Sequence, residues 1–309
     1  MSLVINTNVA SLNAQRSLAA SGAELKTAME RLSSGKKINS AADDAAGFAI
    51  AERMTAQIRG LNMATKNATD GLSMIAAVEN ATNDVTDMLH RIRELAVQAA
   101  NDTNSSTDRG YLQKEVDSLL NEINRVASQT VYNGAEVLDG SRSGAANAQQ
   151  IQVGTDSGQS ISFEIDAVDT DTLGLSLDSF TARDGATPAA IDDMSGETAA
   201  TSATLAAGEK ISVLTAADAS IALGKVTAAI ELVAGGRAEL GAVSNRLEYT
   251  ISNLMNVAEY TTAARSRIED ADFAAESARL AKAQVLQQTG TAMLAQANAS
   301  QQLALSLFR

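Results

Sequence analysis

Residues 45–100 read AAGFAIAERMTAQIRGLNMATKNATDGLSMIAAVENATNDVTDMLHRIRELAVQAA. Within them Met54, Leu61, Ala68, Ile75, Thr82, Leu89 and Ala96 recur every seven residues. A second seam holds Ile58, Thr65 and Leu72, then Val78, Val85, Ile92 and Ala99. A seven-residue apolar step keeps one stripe of a helix turned toward a partner, so the stretch predicts a long helix of coiled-coil type. At 1.5 Å per residue it is a rod of about 80 Å. Ser40-Ala-Ala-Asp43 has the spacing of a capping box at its start, with Asp43 and Asp44 complementing the helix dipole. Asp70-Gly71 is expected to break it, because glycine costs about 1 kcal/mol in a helix interior.

On the C-terminal side, a polar turn over 101–108 precedes a second helix. Its stripe is Leu112, Val116, Leu119, Ile123 and Val126. The period then changes. Asn133-Gly134 is a tight-turn signal. Ile151 and Val153 alternate with polar residues, as do Ile161, Phe163 and Ile165 beyond Gly154–Gly158, which predicts a β-hairpin. Residues 176–215 are small and polar, and they contain Pro188, the single proline of the chain. A third long helix is expected over about 220–268 on Val226, Val233, Leu240, Leu247, Leu254 and Ile268, with Gly235-Gly236 as a soft point. Both chain ends carry helical stripes as well: Val4, Leu18, Leu25 and Leu32 at the start, and Phe273, Leu280, Val285, Leu286, Leu294, Leu303, Leu305, Leu307 and Phe308 at the end. Neither has an apolar neighbour close in sequence. The economical reading is that the ends pair with each other and with other copies of the chain. The fold class is therefore mainly α: long antiparallel helices in a coiled-coil-like rod, one small β-hairpin region, a short variable outer segment and paired termini.

Composition narrows the chemistry. The chain has 309 residues, 24 Lys and Arg against 37 Asp and Glu, and a net charge of −13. Residues 164–197 hold nine acidic groups against Arg183 alone, so most of that charge sits in the middle, while residues 1–60 are nearly balanced. A polyanion is repelled by phosphate backbones and anionic lipid, so neither nucleic acid nor membrane is an expected partner. No run of 18 apolar residues occurs, and MSLVINTNVASLNAQ lacks the basic and apolar regions of a cleavable signal. With no cysteine and His90 as the only histidine, thiolate sites and multi-histidine metal sites are excluded. A Ser/His/Asp triad would need His90, which stands on the long helix beside Arg91 and Arg93 with no G-x-S-x-G motif in the chain. Glu269, Asp270 and Asp272 fit the start of a helix better than a calcium loop. No catalytic residue, metal or cofactor is expected.

Several long motifs in order resemble bacterial flagellin. They are VINTNVASLNAQ (4–15), RLSSGKKINSAADDAAGFAIAERM (31–54), LHRIRELAVQAANDT (89–103), NEINRVASQTVYNG (121–134), LGAVSNRLEYTISNL (240–254), ARSRIEDADFAAE (264–276) and QANASQQLALSLFR (296–309). The resemblance covers roughly 1–175 and 218–309. It implies an inner domain of paired terminal helices lining a channel (1–42 with 269–309), a core helical rod with the hairpin (43–175 with 216–268), and a variable surface segment (176–215). It implies a subunit that self-polymerises into the extracellular flagellar filament for swimming, exported by the flagellar type III apparatus. Its expected partners are other copies, an export chaperone, the cap protein and the hook–filament junction protein. That junction protein, similar at its ends, is the alternative reading. Leu89–Val97 further resembles the segment read by a host Toll-like receptor, which by that match puts Arg91, Leu95 and Glu115 at receptor contacts, with His90 in place of the usual glutamine.

Overall fold

The computed structural model describes residues 8–144, 147–175 and 210–306, and of 300–306 the backbone alone. In chain order the elements are α1 (Val9–Ser34), α2 (Ala45–Ala99), α3 (Ser106–Gln129), β1 (Val131–Tyr132), β2 (Ala135–Glu136), β3 (Gln149–Gln152), β4 (Ser160–Phe163), α4 (Ala216–Glu269) and α5 (Phe273–Ser306). Two compact units result. Residues 61–255 form one, the core unit; residues 1–60 with 256–309 form the other, the terminal unit. That division falls farther inside α2 and α4 than the expected 42/43 and 268/269.

The core unit is built on the seams read above. Ile75, Thr82, Leu89 and Ala96 are buried on α2, and so are Val78, Val85, Ile92 and Ala99. On α4 the buried set is Ala219, Ala222, Val226, Ala229, Val233, Leu240, Leu247 and Leu254. α4 has the length and apolar content of a membrane span, with mean hydropathy 1.3 over 18 residues. In the fold, its stripe from Val226 to Leu247 joins the core. α3 buries Val116, Leu120, Ile123 and Ala127. Leu119 is only half-buried, so the stripe turns one residue from the expected line.

Three local expectations are corrected. First, α2 runs unbroken through Asp70-Gly71. At Gly71 a Cβ would meet the Ile151 Cδ1, the end of a hairpin side chain lying on the helix, so glycine leaves that chain end its place. Asn67 Nδ2 donates to the Gln152 carbonyl (3.2 Å) and the Tyr132 hydroxyl to the Asp70 carbonyl (3.1 Å), fixing both β ladders to this stretch. Second, Ser40–Asp43 is a closed turn before the helix rather than its cap; the Asp44 carboxylate accepts from Gly47 N (2.9 Å) and performs the capping. Third, residues 210–215 do not belong to the surface segment. Ile211 and Val213 are buried, Ile211 N donates to the Leu175 carbonyl (2.9 Å), and Val213 N donates to Gln113 Oε1 (2.6 Å). Chain leaving at Leu175 therefore returns beside it. The rest of the expected segment, 176–209, lies outside the described residues.

The hairpin follows its alternation. β3 and β4 pair antiparallel with Ile151 opposite Ile161. Ile151, Ile161, Phe163 and Ile165 face the core. Asn133 (φ 51°) and Gly134 (φ 81°) make the two-residue turn between β1 and β2.

Candidate functional site

In the terminal unit, α1 and α5 lie antiparallel. Asn8 Nδ2 donates to the Ala297 carbonyl (3.0 Å), Leu18 meets Gly290, and Arg31 faces Glu276, so numbers rise on one helix as they fall on the other. The seam is made of small residues. Ser11, Ser21, Ala28 and Ala283 are buried, and Leu18 Cδ1 lies 3.2 Å from the place a Cβ on Gly290 would take. Small side chains let the backbones approach closely but remove little apolar area from water.

Backbone and charge tie the helix ends together. Gly35 closes α1, its N–H donating to the Arg31 carbonyl. Lys37 N donates to the Glu269 carbonyl (2.6 Å) and Ala271 N to the Gly35 carbonyl (2.9 Å). Lys36 Nζ pairs with Glu269, and the Asp272 carboxylate accepts from Ala274 N and Ala275 N at the start of α5. Glu276 is buried between Arg279 (3.2 Å) and Arg31 (3.8 Å). Asp43 sits 3.9 Å from Arg31. Backbone N–H groups of Ser40 and Asn39, then the Ser40 hydroxyl and Arg31, hold its carboxyl below its ordinary value. The Glu269–Asp272 group thus makes a helix-to-helix joint, and no cluster of metal-ligating side chains occurs among the described residues.

The terminal side chains singled out from sequence fall in three groups. Leu18, Leu25, Leu32, Leu280 and Leu294 are half-buried. Phe273 is 70% exposed. Val4, Leu307 and Phe308 lie outside the described residues, and of Leu303 and Leu305 only the backbone is described. Val285 and Leu286, on the stripe read from sequence, are 58% and 42% exposed, and sequence reasoning missed Val9, Leu12, Met29 and Met293, which are 53–64% exposed. On α1 the seven-residue step selects Leu18, Leu25 and Leu32, which are half-buried, so it passes over Val9, Leu12 and Met29. Their signal was their own spacing: Val9 and Leu12 are three apart, Leu286 and Met293 seven apart.

The receptor-like strip is only partly on the surface. Arg91 Nε donates to Glu115 Oε1 (2.9 Å) and its Nη1 to Glu94 Oε2 (2.9 Å), contacts that raise the guanidinium pKa further. Leu95 is a correction: it is 1% exposed, inside the core with Val116 and Leu120. Residues four apart differ by about 40° around a helix, enough to put Arg91 on the rim and Leu95 under it.

The terminal unit is thus an antiparallel helix pair whose outer faces carry exposed apolar side chains. Two family models match the chain: the bacterial flagellin N-terminal helical region over residues 5–143 and the bacterial flagellin C-terminal helical region over residues 223–308. A flagellin of Halalkalibacterium halodurans is 38% identical over 307 residues, 99% of this chain and all of the relative. Flagellin A of Vibrio anguillarum is 35% identical over 383 aligned positions spanning both chains in full; that alignment exceeds 309 residues, so this chain lacks segments its relative has. Of solved structures, a Bacillus cereus flagellin aligns at 28% identity over 61% of this chain and 88% of that one, with TM-score 0.44. A Vibrio parahaemolyticus chain described as a flagellar hook-associated protein shares the fold at 13% identity, over 74% of this chain and all of that one, with TM-score 0.54. This chain belongs to the bacterial flagellins, the structural subunits that are exported and polymerise into the extracellular flagellar filament. Whole-chain similarity to flagellins disfavours the junction-protein alternative.

Proposed function

We propose that the outward faces of α1 and α5 are the surfaces through which copies of this flagellin hold one another in the filament. The observation that carries this reading is the row of exposed apolar side chains on the terminal helices: Val9, Leu12, Met29, Phe273, Val285, Leu286 and Met293. Each is worth roughly 1.5–3 kcal/mol when fully covered. Leu18, Leu25, Leu32, Leu280 and Leu294 act one layer below, by holding α1 against α5. Leu286→Glu tests this reading. The monomer keeps its helix content, since Leu286 is exposed in it, while sedimentation and electron microscopy find no filaments at concentrations where the parent chain polymerises. Long filaments from that variant would overturn the reading.

The finer partners follow from the family resemblance. An export chaperone takes the C-terminal helix before assembly, the cap protein receives the subunit at the growing tip, and the hook–filament junction protein meets the first layer. Export needs no cleavable signal peptide. A host Toll-like receptor reads the monomer through Arg91 and Glu115, with Leu95 supporting the helix from beneath. Arg91→Ala is expected to reduce receptor-reporter activation by monomer; an unchanged signal would remove Arg91 from the contact.

A further inference from the structure

Methionine is the only sulfur chemistry this chain has: nine methionines and no cysteine. Among the described ones Met54 and Met88 are half-buried, and the other five lie at the extremes. Met74 is buried in the core unit, with Arg142 Nη1 3.6 Å from its sulfur. Met29, Met63, Met255 and Met293 are 54–64% exposed. Met29 and Met293 stand on α1 and α5, and Met293 shares a helix face with Leu286. Without a thiolate to react first, an encounter with a two-electron oxidant falls on these exposed thioethers.

We infer that Met29 and Met293 are oxidation sites at which hydrogen peroxide switches off polymerisation. This rests on the reading of the α1 and α5 faces as the contact between copies. The thioether sulfur attacks one peroxide oxygen; an S–O bond forms as the O–O bond breaks. Sulfur is oxidised by two electrons and the peroxide is reduced. The released hydroxide takes the proton left on the transferred oxygen and departs as water. The product is a sulfoxide, a polar and strongly accepting group in the middle of an apolar contact. In the monomer both sulfurs are open to the oxidant; once copies cover them, the reaction is shut off, so the state of assembly decides whether it can be blocked.

The experiment treats monomer with hydrogen peroxide, maps the added oxygen by peptide mass spectrometry, and measures polymerisation by sedimentation, each protein against its own untreated sample. Oxygen is expected first at Met29, Met63, Met255 and Met293, more slowly at the half-buried Met54 and Met88, and not at Met74. Parent chain then needs roughly tenfold more subunit to polymerise. Methionine sulfoxide reductase returns it to the untreated level. In the double variant Met29→Leu with Met293→Leu, the treated-to-untreated ratio stays near one although Met63 and Met255 are oxidised. Fully oxidised parent chain that polymerises like untreated chain overturns the inference. So does a double variant that loses assembly on treatment as steeply as the parent, or a reductase that restores nothing. Failure of the underlying reading is separate: it shows as filaments from Leu286→Glu, whatever peroxide does.

Discussion

On α2 and α4 of the core unit the seven-spaced positions Ile75, Thr82, Leu89, Val226, Val233 and Leu240 are buried, whereas on α1 and α5 the same spacing leaves Leu18, Leu25, Leu32, Leu280 and Leu294 half-covered. The difference lies in what surrounds the stripes. In the core unit, α3, the hairpin and the stretch 165–175 close over them. Along the α1–α5 seam the buried residues are serine and alanine, the leucines beside them are only half-covered, and the outer faces stay open. A heptad thus fixes which face turns toward a partner, while the number of available elements decides whether that face becomes sealed.

The largest expected effect tests this contrast. Leu89→Ala removes a side chain with no exposure and is expected to destabilise the monomer by about 2–5 kcal/mol, read from urea unfolding. Leu25→Ala, half-buried, should cost only about 1 kcal/mol in the same assay. Equal losses would mean that the two regions are equally packed. Next comes Gly71→Ala, whose methyl group displaces the end of the Ile151 side chain. That cost, about 1–3 kcal/mol, is offset by the roughly 1 kcal/mol alanine gains over glycine in a helix, so a small net loss is expected. Adding Ile151→Val should recover much of that; no recovery would show that the hairpin is not what demands glycine. Ser105→Ala removes the reciprocal cap of α3, in which the Ser105 hydroxyl donates to Asp108 Oδ2 (2.6 Å) and accepts from Asp108 N (3.2 Å). The expected loss is about 1 kcal/mol.

The smallest effect is in pH. Hydrogen bonds from the Ser105 hydroxyl and backbone hold the Asp108 carboxyl below its ordinary 3.8. A carboxyl lowered in the folded state contributes stability that is present above its unfolded value and is lost as pH falls through the folded one. Stability of the parent chain should therefore fall below pH 3.8, and Asp108→Asn should make that fall shallower. An identical acid limb in the variant would remove Asp108 from the account.

Much of the architecture was legible because its signals are local and periodic. The start of α2 at Ala45, the stripe of α4, the turn at Asn133-Gly134 and the register of β3 with β4 all follow from spacing and turn chemistry. What escaped depends on contacts distant in sequence. Gly71 reads as a breaker until Ile151, 80 positions later, is laid on it. Ser40–Asp43 has the spacing of a cap, yet Asp44 holds the helix, because the chain first turns back on itself. Leu95 follows Arg91 by one helical turn, but α3 covers the leucine and leaves the arginine on the rim with Glu115. At the candidate site the stripes identified the helices, the half-buried leucines along their seam and the exposed Phe273, Val285 and Leu286, while Val9, Leu12, Met29 and Met293 fall off the named positions.

The most direct test of the outward faces uses the absence of native cysteine. Single substitutions Leu286→Cys, Phe273→Cys and Leu89→Cys place one thiol each on α5, at the start of α5 and in the core. Labelling with a charged maleimide, in monomer and in filament, reads which positions become covered on assembly. The account predicts that Cys at 286 and 273 reacts rapidly in monomer and at least about tenfold more slowly in filament, as expected of thiols that lose solvent access, while Cys at 89 is protected in both. Equal labelling of 286 and 273 in monomer and filament would contradict it.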